Sequence, residues 1–170
     1  MSSELKHLKD RCAGCERSGR PMTKEHFFPE WLILKTRTHQ TGIKWHTKRR
    51  VSALAATVPL CADCNREFGS DLEAPVAALF EQIEAGQGLS DNDAELLVRW
   101  LWKMKGLSWI ATNPQGKYTR AAKLRERVLY PINQIRPNLV LALCLIRTNI
   151  PPSGEQPMGI DADTEHDAMF

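Results

Sequence analysis

Residues 61–72 read CADCNREFGSDL, and they place a pair of cysteines where an extended run gives way to a helix. The run before them, IKWHTKRRVSALAATVPL at 43–60, mixes β-branched residues with alternating polarity, which predicts two extended strands with a turn near Lys48–Arg50. After Cys64 a helix begins, with Asn65 at or near its first turn. A C-x-x-C at such a junction turns both sulfurs toward one tetrahedral ion. Its counterpart is CAGC at 12–15, in a polar, turn-rich segment whose Gly14, Gly19 and Pro21 predict a second knuckle. Cys12, Cys15, Cys61 and Cys64 are thus the candidate ligands of a structural Zn²⁺. A redox C-x-x-C would want a strand before it and a helix directly after it, whereas ERSGRPM follows Cys15. The fifth cysteine, Cys144 in NLVLALCLIR, reads as a small apolar core residue.

Forty-five residues separate Cys15 from Cys61. That is too long for a compact zinc ribbon and suits two knuckles clamping an inserted ββ segment. Metal coordination offsets the chain entropy of closing so long a loop. The insert carries TKEHFFPEWL at 23–32, an extended piece from Met22 to Phe28 stopped by Pro29 and followed by a short helix over PEWLILKTR. Glu25 and His26 are adjacent in it. By residue type alone, His26 beside Phe27 and Phe28 suits a core histidine, Glu25 can pair with Lys24 or Arg66, and Asn65 can be a helix cap. Neighbouring strand residues point to opposite faces, so Glu25 and His26 share a site only where the strand bends or a phosphate lies between them.

Downstream the pattern is helical. Ser70 is placed to cap a helix through about Glu84 ended by Gly86 and Gly88, and Ser90 with Asp93 resembles a capping box. In the helix that follows, Leu96, Leu97, Trp100, Leu101, Met104 and Leu107 form a core-facing stripe. Exposure of Trp100, Trp102 and Trp109 together would instead make a protein-interaction surface. Tyr118–Leu129 reads as a basic helix and NLVLALCLIR as a buried strand. The expected class is α+β, divided into a zinc-knuckle module over 1–70, a helical extension packed on it over 71–150, and a mobile acidic tail over 151–170.

The net charge of +3 is unevenly spread: after Arg147 there are five acids and no Lys or Arg, which leaves +8 on the rest. Residues 31–62 contain no acid, while Lys35, Arg37, Lys44, Lys48, Arg49 and Arg50 accumulate there. Such a run is either a solvated loop or a surface for a polyanion, with Lys48, Arg49 and Arg50 as the candidate contacts to a nucleic-acid backbone. No run is long enough to span a bilayer, and no phosphate-binding glycine motif is present. The charged start MSSELKHLKDRC lacks a signal-peptide core, so a cytoplasmic location and no membrane partner are expected.

Taken in order, CAGC, KEHFFPEWL and PLCADCN resemble the zinc-containing branch of the HNH (ββα-metal) endonucleases, over residues 12–70. The resemblance implies a treble-clef-like ββα-metal module, followed here by the helical extension and one late strand. It also implies phosphodiester hydrolysis in DNA, with a catalytic Mg²⁺ or Mn²⁺ separate from the zinc; the nucleic-acid partner expected is DNA or RNA. Position by position, Glu25 takes the place of the acidic metal ligand, His26 of the general base, and Asn65 of the helix-borne ligand. Carboxylate and amide oxygens suit a hard cation, and imidazole suits proton transfer near neutral pH. The sequence departs from the family in having Glu rather than Asp before the histidine. Residues 27–62 also contain no Asn, which leaves Gln40, His46 or Thr57 to orient the base. The competing expectation is a zinc-organised module that binds nucleic acid without cutting it.

Overall fold

A computed structural model describes residues 8, 10–44, 50–112 and 123–135. The strands β1 (Met22–His26) and β4 (Thr57–Cys61) pair antiparallel, in a register running from Met22 opposite Cys61 to His26 opposite Thr57. Strand alternation turns Glu25 and Val58 into the core and sets His26 and Thr57 on the other face, both half-buried. Pro29 ends the extended run and opens helix α1 (Glu30–Lys35), which is followed by the single turn α2 (Thr38–Thr41). The region expected to form two long strands is more broken. It holds a short pair, β2 (Ile43–Lys44) with β3 (Arg50–Val51), then a 3-10 turn at Ala53–Ala55, then β4. Alanine disfavours strands, and SALAA breaks the run at that turn. The expected hairpin turn falls largely on residues 45–49, outside the described residues.

β4 leads without a loop into α3 (Ala62–Phe68), and the chain stays helical through a π-helical segment (Gly69–Glu73) and α4 (Ala74–Glu84). The sequence predicted a fresh start capped by Ser70. Instead Ser70 donates to the Asp71 carboxylate at 2.5 Å and the helix continues. Pro75 lacks an N–H and its ring crowds the carbonyl of Asp71, and the wider π turn just ahead of it absorbs that mismatch. Gly86, in the left-handed region at φ +76°, follows the end of α4 as expected.

Ser90 and Asp93 form the expected capping box: the Asp93 N–H donates to Ser90 Oγ at 3.2 Å, and the Ser90 N–H to Asp93 Oδ2 at 3.0 Å. They open the long helix α5 (Asp91–Thr112). Trp100, Met104 and Leu107 on its inner face are fully buried. Trp100 stacks on Trp31 at 5.8 Å and meets Phe80 edge-on at 5.5 Å, joining α1, α4 and α5. Burial of Trp100 removes the reading of a shared Trp surface. Of the basic helix expected over Tyr118–Leu129, the described part is α6 (Leu124–Leu129), followed by the turn α7 (Ile132–Ile135). α6 lies so close to α5 that a Cβ on Gly106 would come within 2.4 Å of Leu124 Cδ1. One buried cluster includes Phe28, Ile33 and Leu60 of the insert together with Phe68, Trp100 and Leu124, so module and extension share a core. NLVLALCLIR and the tail lie outside the described residues. Among the described residues no helix is long and apolar enough to cross a membrane.

Candidate functional site

The two C-x-x-C pairs meet. The sulfurs of Cys12, Cys15, Cys61 and Cys64 all lie within 4.8 Å of one another, and all four residues are buried. A tetrahedral ion with Zn–S bonds of about 2.3 Å requires sulfurs about 3.8 Å apart. Cys15 and Cys61 stand 3.8 Å apart. The local chain explains the approach. Ala13 N–H donates to Pro59 O at 2.9 Å and Ala62 N–H to Pro21 O at 3.0 Å, tying the first knuckle to β4 and the second to the residue just ahead of β1. A Cβ on Gly14 would lie 3.3 Å from Cys64 Sγ, so the first knuckle passes close over the second pair and a side chain there would have to push its neighbours back by a few tenths of an ångström. The turn closes at Glu16, held at φ +62° with its carboxylate bound by Arg11 at 2.9 Å.

In the folded arrangement the four thiols are not equivalent. Cys12 is pulled down to about 4, chiefly by the hydrogen bond from the Cys64 thiol, with backbone N–H groups of Cys15, Cys61 and Gly14 adding to it. Two of those are direct contacts to its sulfur, from Cys61 N–H at 3.2 Å and Cys15 N–H at 3.5 Å. Burial pushes Cys15 up, and donating to Cys12 pushes Cys64 up. Four thiolates around a divalent ion leave a dianion, and positive groups gather near it. Arg17, Arg20, Lys123 and Arg125, together with Asp63, Glu67 and Glu126, line a cavity of about 280 Å³ that also touches Cys15, Cys61 and Cys64. Arg125 is fixed there by Glu67 at 2.6 Å, and its backbone N–H donates to Gly14 O at 3.0 Å, so α6 rests directly on the first knuckle. The four thiols can hold a zinc ion, with donor type, spacing and burial all in agreement.

The second group of residues centres on Glu25. Its carboxylate is buried and accepts from the ammonium of Lys103 on α5, and neither Lys24 nor Arg66 is its partner. Lys103 also donates to Glu73, the last residue of the π segment, and stands 5.8 Å from the centre of the Phe68 ring. Burial pushes the Glu73 carboxyl up, opposed first by Lys103 and, more weakly, by His26, which lies close enough to be felt. His26 is the last residue of β1 and is half-buried, neither in the core nor fully exposed. Of the three residues considered for the missing Asn, Thr57 is directly opposite His26 in the strand register and so on the same face. Gln40 is exposed on α2, and His46 lies outside the described residues. Asn65 is half-buried on α3, which packs on β1 and β4. In the basic cluster, Lys48 and Arg49 lie outside the described residues. Arg50 is exposed on β3 and donates to Thr41 O at 2.9 Å.

Lys103 and Glu73 were not singled out by sequence. A signal existed for Lys103: it sits three residues after Trp100 and four before Leu107, inside the apolar stripe of α5, where a solvated lysine does not belong.

Fold and site together define a mixed α and β chain with small antiparallel strand pairs and a buried Cys₄ cluster able to hold zinc. Comparison with protein-family models, with curated proteins and with solved structures finds no match for this chain.

Proposed function

We propose that the chain is a divalent-metal-dependent endonuclease of the HNH (ββα-metal) type, hydrolysing phosphodiester bonds in DNA. The observation that carries this is the order and contact of three elements. β1, ending on His26, pairs with β4, and β4 runs through the Cys61–Cys64 knuckle straight into α3 bearing Asn65. The zinc site would pin that strand–strand–helix unit at its base, bringing β1 and α3 together although forty positions separate residues 25 and 65, with Glu25 and His26 on opposite faces of β1.

In this reading Glu25 and Asn65 hold the catalytic Mg²⁺ or Mn²⁺, for which their carboxylate and amide oxygens are suitable hard donors. When bound, such an ion accepts a phosphate oxygen and stabilises charge on the leaving oxygen. His26, half-buried at the strand end, takes the proton from the attacking water, and Thr57, opposite it in the ladder, would steady the imidazole. Arg50, with Lys48 and Arg49, supplies phosphate contacts that orient the duplex.

One observation favours a second reading, a zinc-organised module that binds nucleic acid without cutting. The acid that would hold the cation is already held by Lys103. Incubating the zinc-loaded protein with supercoiled plasmid separates the two. Nicking only when Mg²⁺ or Mn²⁺ is added is the expected result; retention of plasmid with no nicking under either ion gives the function to the binding module.

A further inference from the structure

Lys103 is 0% exposed. A buried ammonium persists only where charged partners replace its water, and a single carboxylate would balance it. Here there are two, from elements far apart in sequence: Glu25 on the core-facing side of β1 and Glu73 at the end of the π segment. Their side chains are 10% and 17% exposed, so the second carboxylate bears a desolvation cost that one ammonium does not fully offset. The cluster therefore sets two carboxyl groups against one ammonium beside His26, a donor set that would accept a further cation. The ammonium takes Oε1 of each glutamate, which leaves Oε2 of each for another ligand.

We propose that Lys103 and Glu73 are positioning residues of the cation site assigned above to Glu25: the ammonium holds the two carboxylates together and competes with the divalent cation for them. α5 then sets how tightly the cation binds, and Glu73 joins Glu25 in attracting it. This rests on the reading of Glu25 as a metal ligand, and its primary readout is cation binding rather than cleavage.

The measurement is Mn²⁺ binding to the zinc-loaded full chain, followed by the EPR signal of free Mn²⁺. Lys103→Met should bind Mn²⁺ at least about tenfold more tightly than wild type, because one positive charge beside the carboxylates is gone. Glu73→Gln should bind it more weakly than wild type, and Lys103→Met/Glu73→Gln should lose the gain. Overturning results are a folded, zinc-loaded Lys103→Met whose Mn²⁺ affinity stays within twofold of wild type, or a gain that survives Glu73→Gln. Where Lys103→Met folds poorly without added cation, its melting temperature should rise with millimolar Mn²⁺ while that of wild type rises less. A melt of this variant that Mn²⁺ leaves unmoved overturns the assignment. Tightened Mn²⁺ binding in a chain that cuts no DNA supports the positioning role while sinking the endonuclease reading. Intact cutting without that tightening does the reverse.

Discussion

Replacing Cys61 with serine removes the sulfur at the point where β4 becomes α3, 3.8 Å from Cys15. The zinc clamp then no longer joins residues 15 and 61, and the 45 residues between them must be closed by weaker contacts. The length-dependent part of that closure, (3/2)RT ln n, is about 3.4 kcal/mol for such a loop. Coordination by a full thiolate set supplies about 10–16 kcal/mol of apparent free energy, against a net stability of about 5–15 kcal/mol for an ordinary domain. The β1–β4 ladder is only five residue pairs long, so it does not make up the difference. Cys61→Ser is therefore expected to lose its zinc and its cooperative thermal transition together. Circular dichroism on heating gives the transition, and a colorimetric chelator gives the zinc content. A zinc-free variant that still melts cooperatively within about 4 °C of wild type, a loss of only about 1 kcal/mol, would refute the reasoning.

Zinc uptake at pH 7 should expel the protons that Cys15 and Cys64 hold through their raised values, so affinity falls as pH falls; titration heats that do not vary between buffers of different ionisation enthalpy would contradict this. Gly106→Ala should destabilise by about 1–3 kcal/mol in urea unfolding, because its Cβ meets the buried Leu124 and outweighs the gain in helix propensity; a stabilised variant would show that α6 is not seated on α5. Replacing Lys48, Arg49 and Arg50 together with Ala should flatten the salt dependence of DNA binding by about one unit per lost phosphate contact, and an unchanged slope would move the polyanion elsewhere.

What could be read from the sequence follows from how local each signal is. The cysteine pairs announce themselves because two residues of spacing fix where both sulfurs point, and the structure brings the pairs together. The Ser90–Asp93 box is equally local. The Glu25–Lys103–Glu73 cluster is not, because its members lie 78 and 30 positions apart and meet only through helix packing. Thr57 stood in the sequence as one of three candidates, and only the strand register sets it opposite His26. The run through Ser70 misled because serine is a common N-cap residue. Here the neighbouring proline is accommodated by a π turn within one continuous helix.

The most direct test of the endonuclease account compares wild type with His26→Ala on supercoiled plasmid under saturating Mn²⁺, with zinc content and plasmid binding measured on the same samples. An imidazole base contributes about 10²- to 10⁴-fold to rate. The account predicts a loss of that size in nicking, with zinc and binding unchanged. Nicking by His26→Ala at the wild-type rate would contradict it.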